Sequence, residues 1–327
     1  MLIEVTFCIL PFNFMNSIFK NNLVKTLLFI IVFLFINYLL NNFYISNQDD
    51  AYTQNITELK MFKPTIIAMG DSHTKFGFNP QYIDDSYNFA TNSENFALTL
   101  YKYKWLKKQN LLPKTIVLQL DLHSFTGNRK FDLKPILYWR NFVDFKHFFL
   151  NSEDKVFSLV KILSAKYFTY SDNVEYFLSF GEDIEEEEKY TNLYKGYFKK
   201  KGDLSKLGDK EQTGKAVSRV NNHFSTDNKN QKNIALDAFI ELLQLSKQDN
   251  VDVVLVKYPV SKDYFNLSSK KLDISKYEKL VYDNCKSCKI IDFRKIAFNK
   301  NYLLNDNDHL NNKGARVFSE MLSKELN

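Results

Sequence analysis

The 327-residue chain is 45% hydrophobic and 25% charged, the balance of a globular protein long enough to bury a sizeable core. Its formal charge is +6, but lysines and acids are spread along the whole length, with no arginine-rich stripe and no zinc-ligand pattern. A nucleic-acid partner needs a basic face or stripe, so this composition argues against one. Of the three cysteines, Cys8 lies in an N-terminal apolar stretch and Cys285 and Cys288 form a C-x-x-C. That pair is open to a redox, a metal-binding or a purely local reading. No second Cys or His pair stands nearby and no thioredoxin-like context precedes it, which favours two ordinary cysteines or one small disulfide.

From Leu23 the sequence turns apolar, with the run LLFIIVFLFINYLL ending at Leu40 and its character continuing to Ile45. The length is close to the ~20 residues that cross a hydrocarbon core. Lys20 and Lys25 precede the run, and Asp49 and Asp50 follow it. Positive flanks stay in the cytoplasm, so the expectation is a single-pass anchor at about 23–45 with the remainder outside the cell membrane. A cleaved signal peptide fits less well, because no small-residue cleavage site follows Leu40. Residues 1–19 form a second apolar patch broken by Pro11, and Met15 is an alternative start that would open a signal anchor.

Residues 46–62 are polar and read as a linker or stalk before a domain at 63–327. Short apolar runs then alternate with helical spacing: strand 65–70, helix 94–109, strand 115–122, helix 231–248, strand 251–258, helix 273–284, strand 289–293 and a last helix at 312–325. Continuous apolar strands between helices imply a mostly parallel sheet covered on both faces, an α/β architecture. The stretch 125–229 breaks the alternation, with an acidic block from Glu182 to Glu188 and a basic cluster from Lys199 to Lys201. We read it as a mainly helical insertion forming a lid or substrate wall, with its charge runs as solvated faces.

Two places carry chemistry. Gly70-Asp71-Ser72-His73 stands at the end of the first strand, where ligands collect in open α/β sheets. Gly70 permits a sharp turn, Asp71 can cap the next helix, and Ser72 presents its hydroxyl to the cleft. Asp306-Asn307-Asp308-His309 stands just before the last helix. A serine hydroxyl needs a base to take its proton, and histidine needs a carboxylate to hold its tautomer. Asp306 and His309 can meet on one turn; Asp308 is the alternative orienter, directed elsewhere if the turn is helix-like.

A GDS turn after the first strand and D-x-x-H before the final helix resemble the SGNH (GDSL-like) hydrolase superfamily, as does the segment HLNNKGARVFSEML. The resemblance covers roughly 63–124 and 231–325. It implies a three-layer α/β/α sandwich with a flavodoxin-like sheet and a triad of Ser72 as nucleophile, His309 as base and Asp306 as orienter. It implies no cofactor and no metal. Its oxyanion positions, a glycine and an asparagine, fall here on Ser93 (or Asn92) and on His123, beside the Ser72 backbone N–H. A membrane-anchored domain of this kind is similar to partner proteins of envelope polysaccharide O-acetylation and teichoic-acid alanylation. The implied substrate is an acyl ester of an envelope glycan, and the implied partner is a membrane-bound O-acyltransferase. The alternative is a weakly active or inactive partner protein that binds a glycan or that acyltransferase. Trp105, Tyr138 and Trp139 are equally candidates for sugar stacking and for core packing.

Overall fold

The computed structural model describes residues 12–47, 51–126, 141–143, 159–160, 194–224, 234–296 and 299–326. Most of the 125–229 insertion, including the acidic block, Tyr138 and Trp139, therefore lies outside the described residues. So do residues 1–11, with Cys8 and Pro11.

Helix α1 (Phe12–Asn47) belongs to one compact unit, separate from the domain that carries the sheet. Its segment Asn22–Leu40 is long and apolar enough to cross a membrane. Its described apolar side chains are almost all exposed, from Leu23 to Leu40, as in a helix that seeks a non-aqueous surrounding rather than a protein core.

The second unit begins at Asp50. Where a polar stalk was expected, Ala51–Phe62 is helix α2, and it is anchored rather than free. Leu59 is fully buried, and Tyr87 donates its hydroxyl hydrogen to the Asn55 carbonyl at 3.0 Å. Two buried apolar side chains, Ile56 and Leu59, three residues apart among polar neighbours, make one stripe, which the polar average conceals.

The sheet has five strands: β1 (Ile66–Met69), β2 (Ser86–Asn88), β3 (Thr115–Gln119), β4 (Asp252–Lys257) and β5 (Lys289–Asp292). All are parallel, in the order β2-β1-β3-β4-β5, with Ala68 level with Val117 and Val117 with Val254. This is the order of one common doubly wound sheet. The expected strands are all present, shorter by one to three residues at their ends; β2, three residues long, is too short for a sequence pattern to reveal.

Along the three central strands both sets of alternating side chains are buried. One set, Ala68, Val117, Val254 and Val256, joins Phe318, Ala315 and Leu322 of helix α9 (Asn312–Leu326) in a single core cluster. The other set includes Ile67, Ile116, Leu118 and Leu255, none of them exposed. Between the strands run α3 (Ser72–Gly77), α4 (Phe96–Lys108), α5 (Asp209–Phe224), α6 (Ile234–Gln248), α7 (Lys262–Ser268) and α8 (Ile274–Asn284). Helices α4 and α6 pack through Phe96 and Phe239, ring centres 4.5 Å apart. Because every strand runs the same way, the segments after β1, β2, β3 and β4 leave the sheet along one edge.

Candidate active site

The segment leaving β1 turns at Gly70, whose φ of +142° lies in the region that favours glycine. A Cβ there would stand 2.8 Å from Gln119 Oε1 and 2.9 Å from Thr74 Oγ1. Asp71 then caps α3, its Oδ1 accepting from the His73 N–H at 2.9 Å. Ser72 becomes the first residue of that helix.

The Ser72 hydroxyl lies 2.7 Å from Nε2 of His309. His309 Nδ1 lies 2.7 Å from Asp306 Oδ2, and its backbone N–H donates to Asp306 Oδ1 at 3.2 Å. The three side chains thus form one relay with the carboxylate fixing which ring nitrogen carries the proton. The turn that makes this possible is not helical. Leu304 and His309 close it by a backbone hydrogen bond of 2.8 Å, Leu303 bridges Leu310, and Asn307 sits at a φ of +78°. Asparagine tolerates that conformation, and it sends successive side chains to opposite sides.

Asp308 accordingly points inward, fully buried, with its carboxylate 3.7 Å from His309 Nδ1. Its two oxygens accept from Arg219 Nε at 2.9 and 2.8 Å, and Oδ2 also accepts from His73 Nε2 at 3.1 Å. Burial would raise its pKa, but His309, His73 and Arg219 outweigh that and hold it well below the usual carboxylate range.

His73 bridges two carboxylates, with Nδ1 2.8 Å from Asp121 Oδ2 and Nε2 on Asp308. An ionised carboxylate only accepts, so both ring nitrogens carry hydrogen. Burial opposes that charge, yet Asp121, Asp308 and Asp71 together lift the His73 pKa to about 10. His123 Nε2 in turn lies 2.8 Å from Asp71 Oδ2. The result is a reciprocal exchange: Asp71-x-His73 after β1 and Asp121-x-His123 after β3 swap partners across neighbouring strands.

Four of the five histidines stand in one row, His309 to His73 to His123 to His223, with ring centres 5.2, 4.4 and 4.5 Å apart. His223 meets the Tyr264 hydroxyl at 2.6 Å, and burial drives its pKa far down, so it stays neutral. Arg219 and His223 both come from α5, in the described part of the insertion. Two subsets, Asp71–His73–His123 and His73–Asp308–His309, are close enough to hold a cation. Their chemistry does not suit one: His73 is already an imidazolium between carboxylates, and Arg219 occupies both oxygens of Asp308.

Ser93, on the segment after β2, has a φ of +58°, the conformation expected where the resemblance places glycine. Ser93 and Asn92 are exposed. Their loop is held by a buried pair beneath it. Lys102 donates to Glu94 at 2.5 Å, to the Phe89 carbonyl at 2.6 Å and to Thr91 Oγ1 at 2.8 Å. Burial pushes the Glu94 carboxyl up against the pull of the Lys102 ammonium. His123, expected as a second donor towards the cleft, instead has its Nε2 on Asp71. Trp105 packs on Phe89 and Phe142, at 6.1 and 5.2 Å between ring centres. Cys285 and Cys288 are joined by a disulfide in the turn between α8 and β5.

Sequence reasoning singled out Ser72, Asp306 and His309, which the fold brings together. It missed the interior roles of His73, Asp121, Asp308 and Arg219. The signal for the first two was present, the same D-x-H spacing after two strands; nothing in the sequence pointed to Arg219. No protein-family model and no curated protein matches this chain.

Proposed function

We propose that the protein is an anchored serine esterase or O-acyltransferase of the SGNH type, with a three-layer sandwich domain facing away from the cytoplasm. The observation that carries this reading is the continuous relay from Ser72 through His309 to Asp306, with both side-chain contacts at 2.7 Å. In the reaction, His309 Nε2 takes the Ser72 proton as Oγ attacks the acyl carbonyl carbon. The oxyanion collapses, the ester C–O bond breaks, and His309 returns the proton to the leaving alcohol. Water, or a sugar hydroxyl, then attacks the acyl-serine by the same proton route in reverse. Asp306 holds the ring throughout.

The oxyanion would be met by backbone N–H groups of Ser72 and Ser93. The Ser72 N–H, at the first turn of α3, has no acceptor among the described residues. The apolar segment Asn22–Leu40 supports membrane anchoring, and the Cys285–Cys288 disulfide agrees with an oxidising compartment outside the cytoplasm. An acyl ester of an envelope glycan as substrate, and a membrane O-acyltransferase as partner, rest on the family resemblance.

The second reading, a catalytically weak partner protein, is favoured by one observation: the His123 nitrogen that would replace the family's asparagine donor is held by Asp71. A fluorophosphonate probe decides between them, because it labels only an activated serine. The wild-type full chain should be labelled, and Ser72→Ala and His309→Ala should not. Absence of labelling in the wild type, or equal labelling of Ser72→Ala, overturns the enzymatic reading.

A further inference from the structure

The basic cluster at 199–201 plays no part in the relay, yet the fold gives it a definite place. Lys200 and Lys201 line a cleft of about 440 Å³ together with Lys206, Lys313, Asp203, Asn305 and Asn311. Its size falls within the range of ligand clefts, roughly 300–1,000 Å³. We propose that this cleft binds the anionic groups, phosphate or carboxylate, of a polymer whose acyl ester is presented to Ser72. The proposal rests on the serine reading above and names the class of substrate for that site.

Three observations support it. First, among the described residues the four lysines have no carboxylate within ion-pair distance, unlike Lys104 on Glu241 at 2.6 Å, Lys107 on Asp249 at 2.6 Å and Lys289 on Glu325 at 2.7 Å. The cleft's one acid, Asp203, is engaged through Oδ1 by the Ser205 N–H and hydroxyl. Asp203 offsets part of the charge of Lys206 and Lys313, but four ammonium groups against one carboxylate leave the cavity net positive, and a concave wall strengthens that field.

Second, the frame is rigid. Asn311 donates Nδ2 to the carbonyls of Gly202, Asn301 and Leu303 at 2.9, 2.8 and 3.1 Å, and Asn305 accepts from the Asp203 N–H at 3.0 Å. The lysines therefore extend from fixed backbone rather than from a free loop.

Third, the cleft adjoins the site. Asn305 directly precedes Asp306. The Lys200 ammonium lies 4.7 Å from the centre of the Phe76 ring, whose edge meets His309 with centres 5.3 Å apart. An anionic unit held in the cleft is thus one aromatic ring away from the base.

The test uses the full chain in detergent with two polyanions, inorganic polyphosphate and polygalacturonate, measured across a salt series. At least one should bind. Lys200→Gln/Lys201→Gln/Lys206→Gln/Lys313→Gln should weaken binding tenfold or more. The same four positions changed to Arg should keep it, as should Lys104→Gln/Lys107→Gln/Lys289→Gln. Binding of polyphosphate alone identifies phosphate as the anion, and of polygalacturonate alone a carboxylate. Absence of binding to either, or equal loss in the cleft and control variants, overturns the proposal. Failure of Ser72 to label with fluorophosphonate would overturn the serine reading without touching this binding result.

Discussion

The two aspartates of Asp306-Asn307-Asp308-His309 allow a sharp experiment, because the fold gives them opposite environments two residues apart. The Asp306 side chain is 39% exposed and makes the 2.7 Å contact to His309 Nδ1, while the Asp308 side chain is fully buried. Asp306→Asn keeps the shape but no longer fixes the proton on Nδ1. In a serine–histidine–aspartate relay that change costs about 10⁴ in turnover, through the wrong tautomer. Being partly exposed, the pair contributes only about 0–1 kcal/mol to stability, so the melting temperature should hardly move. Asp308→Asn does the reverse. It removes the charge that receives both oxygens' worth of contact from Arg219, at 2.9 and 2.8 Å, and one from His73 at 3.1 Å. Two cations are left undercompensated in the interior, a loss on the order of 3–5 kcal/mol. For a domain of this size that lowers the melting temperature by roughly 10 °C.

Thermal melts and fluorophosphonate labelling rates of the two variants in detergent give both readouts on one preparation. Loss of labelling in Asp308→Asn at an unchanged melting temperature, with Asp306→Asn still labelled, would refute the assignment and make Asp308 the orienter.

Four further outcomes follow from the same geometry. His73 is charged in the folded state up to a pKa of about 10 against 6.5 when unfolded, so its contribution is complete below pH 6.5 and lost as pH rises to about 10. Denaturation midpoints should fall across that window, and His73→Gln should flatten the slope. Gly70→Ala, with a φ of +142° and a contact of 2.8 Å on Gln119, should cost on the order of 1–3 kcal/mol and displace the nucleophile turn, read as a lower melting temperature and slower labelling. His123→Ala takes a partner from the buried Asp71 and should lower stability by about 1–3 kcal/mol, with labelling per folded molecule within tenfold; a 10²–10³ loss at unchanged stability would instead make it an oxyanion donor. Glu94→Gln leaves the buried Lys102 with a weaker partner and should cost about 3–5 kcal/mol, much of it recovered when Lys102 is changed to Met as well, as urea titrations would show.

The parts of the fold that were legible are those where one physical requirement dominates. Strands buried on both faces must be continuously apolar, so TIIAM, TIVLQ and VVLV announce themselves, whereas β2, Ser86-Tyr87-Asn88, holds its place by pairing with β1 and by Tyr87 against α2. The meeting of Ser72, Asp306 and His309 was legible because the sheet edge and the last helix fix where their segments can stand. Its surroundings were not. Whether an aspartate points out or in depends on one residue at a positive φ, Asn307, and an arginine far along the chain becomes relevant only once α5 lies against that turn. Polar residues such as those of α2 look like a linker in any averaged property, because a helix needs only Ile56 and Leu59 on one stripe to dock.

The buried cluster also changes how the relay itself is understood. The distance that matters for chemistry is that between Ser72 and His309, yet both belong to segments anchored below them. The Ser72 turn is tied through Asp71 to His123 and through the adjoining His73 to Asp121 and Asp308. The His309 turn is tied through Asp308 to the same His73 and to Arg219, through Asn307 Nδ2 to the Gln212 carbonyl at 2.9 Å, and through the Asn307 carbonyl to the Ser261 N–H at 2.8 Å. His73 is therefore the common post of both turns, a cation held between one carboxylate from each side, Asp121 and Asp308. Neutralising it touches neither Ser72 nor His309 directly, but it releases both of their turns from the same support at once. Helix α5 enters this arrangement through Arg219, whose guanidinium meets the same Asp308 carboxylate that supports His73.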